Sequence, residues 1–133
     1  MSTSPSIMAL HFRYRLWIAE MNADINVLRI FEDYAAELAT KNSDPAVKKG
    51  IADFKNEFVG LRTQIDELRH EMHLCKMSLA ADARESTQKE AAKGKKKPAL
   101  SADHAALKKR YTTYRKKFNT VKKEFGLFEA RWL

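Results

Sequence analysis

The chain has 133 residues, 44% hydrophobic and 32% charged, which suits one soluble domain with a core and excludes a fully disordered chain. Its four glycines and three prolines are too few for the turns of an all-β domain, and no apolar run approaches the ~20 residues of a membrane span. The net charge is +8, and residues 86–133 alone contribute +10, which indicates either an anionic partner for that segment or a solvated helix face.

The first predicted helix spans about residues 8–41 and has two apolar stripes. One follows a heptad repeat through Tyr14, Met21 and Leu28 and is expected to face the core. The second stripe consists of Leu16, Ala23, Val27, Ile30 and Tyr34. Together they cover an arc of ~200°, whereas a surface helix needs only ~100°. A bare three-helix bundle would leave part of this arc exposed, so we predict that the second stripe is a partner interface.

Asp24 occupies a core position in the heptad of this first helix. A carboxylate there is costly unless it is paired. It either pairs with a cation of the third helix or specifies the register of the bundle. The sequence leaves both roles open.

The second predicted helix spans residues 45–85. Its apolar residues alternate by three and four from Val47 to Leu79, which is typical of a packed coiled-coil seam. Ser43 or Asp44 can cap its N-terminus, and a proline suits the first turn, where a missing N–H costs nothing. The short connection to the first helix predicts an antiparallel hairpin.

Cys75 is the single cysteine and lies on this seam. We expect it to pack as a small hydrophobic residue rather than act as a nucleophile. One cysteine excludes an intramolecular disulfide and suits a reducing compartment. The N-terminal sequence also lacks the basic start of a signal peptide, so we expect a cytoplasmic protein.

The third predicted helix spans residues 102–132, with Ser101 as its N-cap. Its seam is largely aromatic and predicts a wide core. The seam residues are His104, Leu107, Tyr111, Tyr114, Phe118, Val121, Phe125, Phe128 and Trp132. Residues 86–100, STQKEAAKGKKKPAL, lack apolar periodicity and contain glycine and proline, which predicts either a flexible basic linker or a frayed helix extension.

Basic residues recur every seven positions along this third helix. The predicted anion contacts are Lys108, Lys109, Lys116, Lys117 and Lys123. Such a stripe can bind the phosphates of a nucleic acid or an acidic partner. Its members beside the core can instead pair with acids of neighbouring helices, such as Glu32, Glu57 and Glu71. The aromatic seam lies on the side of the helix opposite the basic stripe and cannot stack on bases, so we expect no sequence-specific recognition of nucleic acid.

Catalytic and metal-binding motifs are sparse. Glu67 and His70 match half of a di-iron motif, but no second Glu-x-x-His occurs and the heptad register turns both outward. Asp66, His70 and His73 could hold a surface metal ion, although solvated side chains are the favoured interpretation. No Ser/His/Asp arrangement, phosphate loop or paired-cysteine motif appears. We therefore expect no enzyme, no cofactor and no small-molecule substrate.

Two resemblances to known families are visible. His73 and Lys76 resemble the phosphorylated-histidine motif of histidine phosphotransfer domains, although Met77 stands where that motif has a glycine, which puts access to the imidazole in doubt. Three other stretches resemble a family of small uncharacterised bacterial helical proteins, which implies a helical class and a bacterial origin but no function. They are residues 16–22, 65–70 and 128–132.

The sequence thus predicts an all-α fold: an antiparallel up-down-up helical bundle with coiled-coil-like heptad packing, in one domain over residues 1–133. We expect a non-enzymatic scaffold or adaptor that acts through helix–helix association, as a homodimer or with another helical protein. The alternative is non-specific binding of nucleic acid or an acidic partner through the third helix. A metal-binding bundle is a further alternative, and no membrane contact is expected.

Overall fold

Three long α-helices make up the protein. The structure, a computed structural model, describes residues 6–88 and 98–132. The helices are α1 (Ile7–Lys41), α2 (Pro45–Gln88) and α3 (Pro98–Arg131). α2 packs antiparallel to both α1 and α3, and the described residues contain no strand. The predicted all-α, up-down-up bundle is confirmed.

The observed helix ends differ from the predicted ones mainly around the second connection. α2 continues to Gln88 and α3 begins at Pro98, so residues 86–88 and 98–100 extend the two helices, as the second interpretation predicts, and are not part of a linker. Residues 89–97 of the predicted linker lie outside the described residues. Ser101, the expected N-cap, falls inside α3 because the helix starts at a proline, whose fixed φ and missing N–H suit a first turn.

The first two helices begin at side-chain caps. The Ser6 hydroxyl accepts a hydrogen bond from the Ala9 amide at 3.0 Å. The Asp44 carboxylate accepts one from the Ala46 amide at 2.8 Å, so Asp44 rather than Ser43 caps α2. Both caps satisfy amides that have no partner within the helix.

The heptad seams form the core. All predicted seam positions of α2 are buried except Phe54 and Cys75, which are half-buried. The α3 seam is buried from Leu107 to Phe125. Trp132 is 37% exposed, so its predicted place in the seam is wrong, because α3 ends one residue before it.

Large side chains, rather than close backbones, join α1 to α3. In the described part of the chain, no Cα atom of α1 lies within 8 Å of one in α3. Trp17 stacks on Tyr111 with ring centroids 4.9 Å apart, and Phe31 lies 5.0 Å from Phe125. The aromatic seam of α3 therefore fills a wide gap, as its residue sizes predicted.

Polar side chains also cross this gap. The Tyr114 hydroxyl donates to the Asp24 carboxylate at 2.7 Å, and the Arg115 guanidinium donates to the same oxygen. Burial and the bond to Asp24 raise the pKa of Tyr114. Asp24 thus pairs with a cation of α3, which is the first of the two predicted roles.

Within the described residues, no helix combines the length and apolarity needed to cross a bilayer.

Candidate interaction surfaces

The five residues of the predicted α1 stripe separate into two groups. Leu16, Ala23 and Ile30 are exposed, whereas Val27 and Tyr34 are half-buried and pack against the core. The Tyr34 hydroxyl donates to Glu129 at 3.4 Å. Packing within the chain therefore accounts for Val27 and Tyr34, and the other three remain uncovered.

The uncovered apolar face extends farther towards the N-terminus than predicted. Met8 is 80% exposed and Phe12 is 62% exposed. Their spacing of four residues, continued by Leu16, was visible in the sequence. We define the α1 apolar strip as Met8, Phe12, Leu16, Ala19, Ala23 and Ile30. The strip is ~33 Å long at 1.5 Å per residue.

Opposite charges lie at the two ends of one edge of this strip. Arg15 and Asp33 are both exposed. They are 18 residues apart, which is about five turns at 3.6 residues per turn, so they lie on one line along the helix. This edge thus begins at basic Arg15 and ends at acidic Asp33, with exposed Arg29 one turn before Asp33.

Three basic residues of α3 are paired within the chain. Arg110 binds Glu71 at 2.7 Å and Lys117 binds Glu57 at 3.0 Å, while Arg115 binds Asp24. The hydrogen bond from Arg110 lowers the pKa of the Glu71 carboxyl. Lys117, one of the predicted anion contacts, thus belongs to the contact between α2 and α3.

The other basic residues between positions 108 and 123 point to solvent. We define the α3 lysine face as Lys108, Lys109, Lys116, Lys122 and Lys123. All are exposed, and none has a carboxylate within 4.0 Å among the residues that the structure describes. The face therefore contains all the predicted anion contacts except Lys117, and it contains Lys122 in addition.

The residues considered for metal or phosphate chemistry lie on the outer surface of α2. Asp66, Glu67, His70 and His73 are exposed, as their heptad positions predicted. Asp66 accepts a hydrogen bond from Arg69 at 2.9 Å. No group of three His, Cys, Asp or Glu side chains within the described ranges could share a metal ion.

His104 packs at one end of the gap between α1 and α3. Its Nδ1 lies 3.0 Å from the Tyr14 hydroxyl, and its ring is stacked parallel to Trp17 with centroids 5.9 Å apart. Burial, with the nearby charges of Arg13 and Lys108, lowers the pKa of the imidazole. Its expected packing role on the α3 seam is confirmed.

An open groove of about 340 Å³ runs between α2 and α3. It is lined by Gln64, Glu67, Leu68, Lys109, Arg110, Thr113 and Tyr114. Ligand sites are mostly apolar and enclosed, with a few convergent polar groups. In the described part of the chain every buried side-chain nitrogen and oxygen has a hydrogen-bond partner, so the groove offers no buried group that awaits a ligand.

Comparison with known proteins finds no relative of this chain. No protein family, no curated protein and no solved structure matches the chain. The resemblance to small bacterial helical proteins stays a prediction, and function has to be argued from the two surfaces.

Proposed function

We propose that this protein is a non-enzymatic helical scaffold that works by self-association, with the α1 apolar strip packed against the strip of a second copy. The observation that carries the proposal is the exposure of three large apolar side chains on one face of α1. Phe12, Leu16 and Ile30 are 62%, 45% and 64% exposed. A contiguous apolar strip of this kind is typical of an interaction site.

The charges beside the strip favour a second copy in an antiparallel arrangement. With Ala23 at the twofold axis, Leu16 of one copy lies opposite Ile30 of the other. The same arrangement brings Arg15 of one copy near Asp33 of its partner, because an antiparallel twofold pair sets this edge of one strip beside the same edge of the other. In a parallel twofold pair the two edges lie on opposite sides of the interface, and this contact is lost. Ala19 and Ala23 have small side chains and allow the two helices to approach closely at the centre.

The size of the strip predicts a reversible dimer. A contact ~33 Å long and about one helix wide is at the lower end of specific interfaces. We therefore expect the dimer to dissociate on dilution. The substitution of Ile30 and Phe12 by glutamate should abolish it, because charged groups would be buried without partners.

Light scattering on a sizing column tests the proposal. We expect the wild type to approach twice the chain mass of 15.3 kDa at high concentration, and the Phe12→Glu/Ile30→Glu variant to stay monomeric with unchanged helicity. Val59→Glu is the matched control, since Val59 is 59% exposed on α2, away from the strip. A wild type that remains monomeric at millimolar concentration would refute self-association.

Cysteine crosslinking tests the antiparallel geometry. In a Cys75→Ala background, Ala23→Cys lies at the proposed twofold axis and should form a disulfide with its own copy under mild oxidation. Met8→Cys should not, because the two N-termini lie at opposite ends of an antiparallel pair. Efficient crosslinking through Met8→Cys would instead indicate a parallel pair.

A further inference from the structure

The basic residues of α3 have two different environments. Between positions 108 and 123 the sequence has eight basic residues and no acidic one. Carboxylates of α1 and α2 bind three of them, Arg110, Arg115 and Lys117. The five members of the α3 lysine face have no such partner among the described residues. The bundle therefore neutralises the inner basic residues and leaves the outer ones uncompensated.

Three of the five uncompensated lysines form a line along the helix. Lys109, Lys116 and Lys123 are seven residues apart, which places them ~10 Å from one another along a line ~21 Å long. Exposed Thr113, Asn119 and Thr120 lie between them and supply hydroxyl and amide groups. The face thus combines cations with neutral hydrogen-bonding groups.

The composition of the face selects among anionic partners. A membrane surface requires apolar side chains beside the lysines, and a protein interface requires aromatic or apolar anchors. Within residues 104–131, Leu127 is the only large apolar side chain exposed; it lies one turn beyond Lys123, and a single apolar residue supplies neither a membrane-inserting face nor a cluster of protein anchors. A polyanion that is bound by charge alone needs neither kind of anchor.

The buried aromatic and paired arginine side chains of α3 also argue against base contacts. Single-stranded nucleic acids are held by aromatic side chains that stack on bases, but Tyr111, Tyr114 and Phe118 are at most 5% exposed. Arginines that read guanine in a duplex do so through two hydrogen bonds, and Arg110 and Arg115 are held by carboxylates. The phosphate backbone of a duplex requires only the cations and polar groups that the face presents.

We infer that the α3 lysine face binds double-stranded nucleic acid through its phosphates, without reading the sequence. The affinity is then set by the release of counterions, and the logarithm of the binding constant falls linearly with the logarithm of the salt concentration. Five lysines give a slope of at most about −4.5 for each protomer. This activity belongs to α3 and does not depend on self-association through α1.

Fluorescence anisotropy with a labelled duplex of mixed sequence tests the inference. The face variant is Lys109→Gln/Lys116→Gln/Lys123→Gln. The control is Lys41→Gln/Lys48→Gln/Lys55→Gln, which removes the same charge from exposed positions of α1 and α2. We expect the face variant to bind at least ~10-fold more weakly and its salt slope to fall by ~2.7, because three phosphate contacts are lost. The control should bind within ~3-fold of the wild type, and circular dichroism should show equal helicity.

Competition experiments identify the class of partner. Unlabelled duplexes of unrelated sequence should compete equally, while a single strand of equal length, polyglutamate and anionic lipid vesicles should compete less well. Stronger competition by polyglutamate, by vesicles or by the single strand would overturn the inference in favour of that partner. Equal losses in the face and control variants, or no duplex binding at 50 mM salt, would also overturn it.

The monomeric Phe12→Glu/Ile30→Glu variant separates this inference from the proposed scaffold. It should retain duplex binding with a similar salt slope for each protomer, because the α3 lysine face is intact. Loss of duplex binding in this variant would show that the face alone is insufficient and would overturn the inference, whether or not the wild type self-associates.

Discussion

Asp24 is a carboxylate placed in the core, with 6% of its surface exposed. Both of its partners are on α3: Tyr114 donates to it from inside the gap and Arg115 from its edge. A buried charge is tolerated when it is paired and hydrogen-bonded. The sequence indicated that Asp24 needed a partner but could not identify it, because the partner depends on the register between two helices that are about 90 residues apart.

The substitution Asp24→Asn tests this pairing. The amide oxygen can still accept from Tyr114, but Arg115 loses its counter-charge, so we expect the free energy of unfolding to fall by ~1–3 kcal/mol. Urea unfolding followed by circular dichroism measures it. Asp53→Asn is the control, since Asp53 forms an exposed ion pair with Lys49 at 3.2 Å and should cost at most ~1 kcal/mol. Equal losses in the two variants would contradict a special role for Asp24.

The helices themselves were predictable because burial follows a simple period. A 3.6-residue turn brings every third or fourth side chain to one face, so apolar spacing alone identified the buried residues from Val47 to Leu79. The end of α2 and the start of α3 were predicted less well. A lack of apolar periodicity around residues 86–100 cannot distinguish a linker from a helix extension, because the backbone can continue a helix without a buried face wherever its propensity allows.

The sequence predicted that cations of α3 would pair with acids of neighbouring helices, but it could not identify the individual pairs. Of the three acids that the sequence offers as partners for α3 cations, Glu57 and Glu71 are used. The prediction for Glu32 is wrong, because its carboxylate binds Arg62 of α2 at 2.6 Å. The division of the basic residues into paired and unpaired sets required the structure. The same holds for the second stripe of α1, where Tyr34 reaches Glu129 of α3 and Ile30 reaches solvent.

The close approach of α2 to the end of α3 depends on Gly50. A Cβ atom added at Gly50 would lie 2.5 Å from Cε1 of Phe128, whose ring packs between Phe54 and Phe125 with centroids 5.3 and 6.3 Å away. No side chain larger than hydrogen fits here unless that ring moves. The glycine therefore leaves room for the Phe128 ring within a helix that would otherwise favour alanine.

The substitution Gly50→Ala should destabilise the protein despite its gain in helix propensity. Alanine gains ~1 kcal/mol over glycine in a helix, and overpacking costs ~1–3 kcal/mol, so we expect a net loss of up to ~2 kcal/mol. At Gly60 a Cβ atom has no neighbour within 4 Å, so Gly60→Ala should be stabilising. Thermal unfolding of both variants measures the difference. Equal stabilisation would mean that the Phe128 ring moves aside freely.

In cross-section the three helices form a triangle whose widest side is the gap between α1 and α3. α2 lies close to both neighbours, but α1 and α3 are joined only through side chains in the part of the chain that the structure describes. Phe125 is central to this arrangement. Its ring lies 5.0 Å from Phe31 of α1 and 5.2 Å from both Phe54 and Phe58 of α2. One side chain of α3 thus contacts rings of both other helices.

The substitution Phe125→Ala should therefore weaken the whole bundle rather than one helix end. Loss of a buried phenyl ring costs ~3–5 kcal/mol, which lowers the melting temperature of a domain of this size by roughly 10–20 °C. Leu127→Ala is the control, since Leu127 is on the same helix and 63% exposed. Calorimetry should show a single lowered transition for Phe125→Ala and almost no shift for the control. A variant that loses α3 while α1 and α2 melt as before would mean that the hairpin is stable alone and that Phe125 only attaches α3 to it.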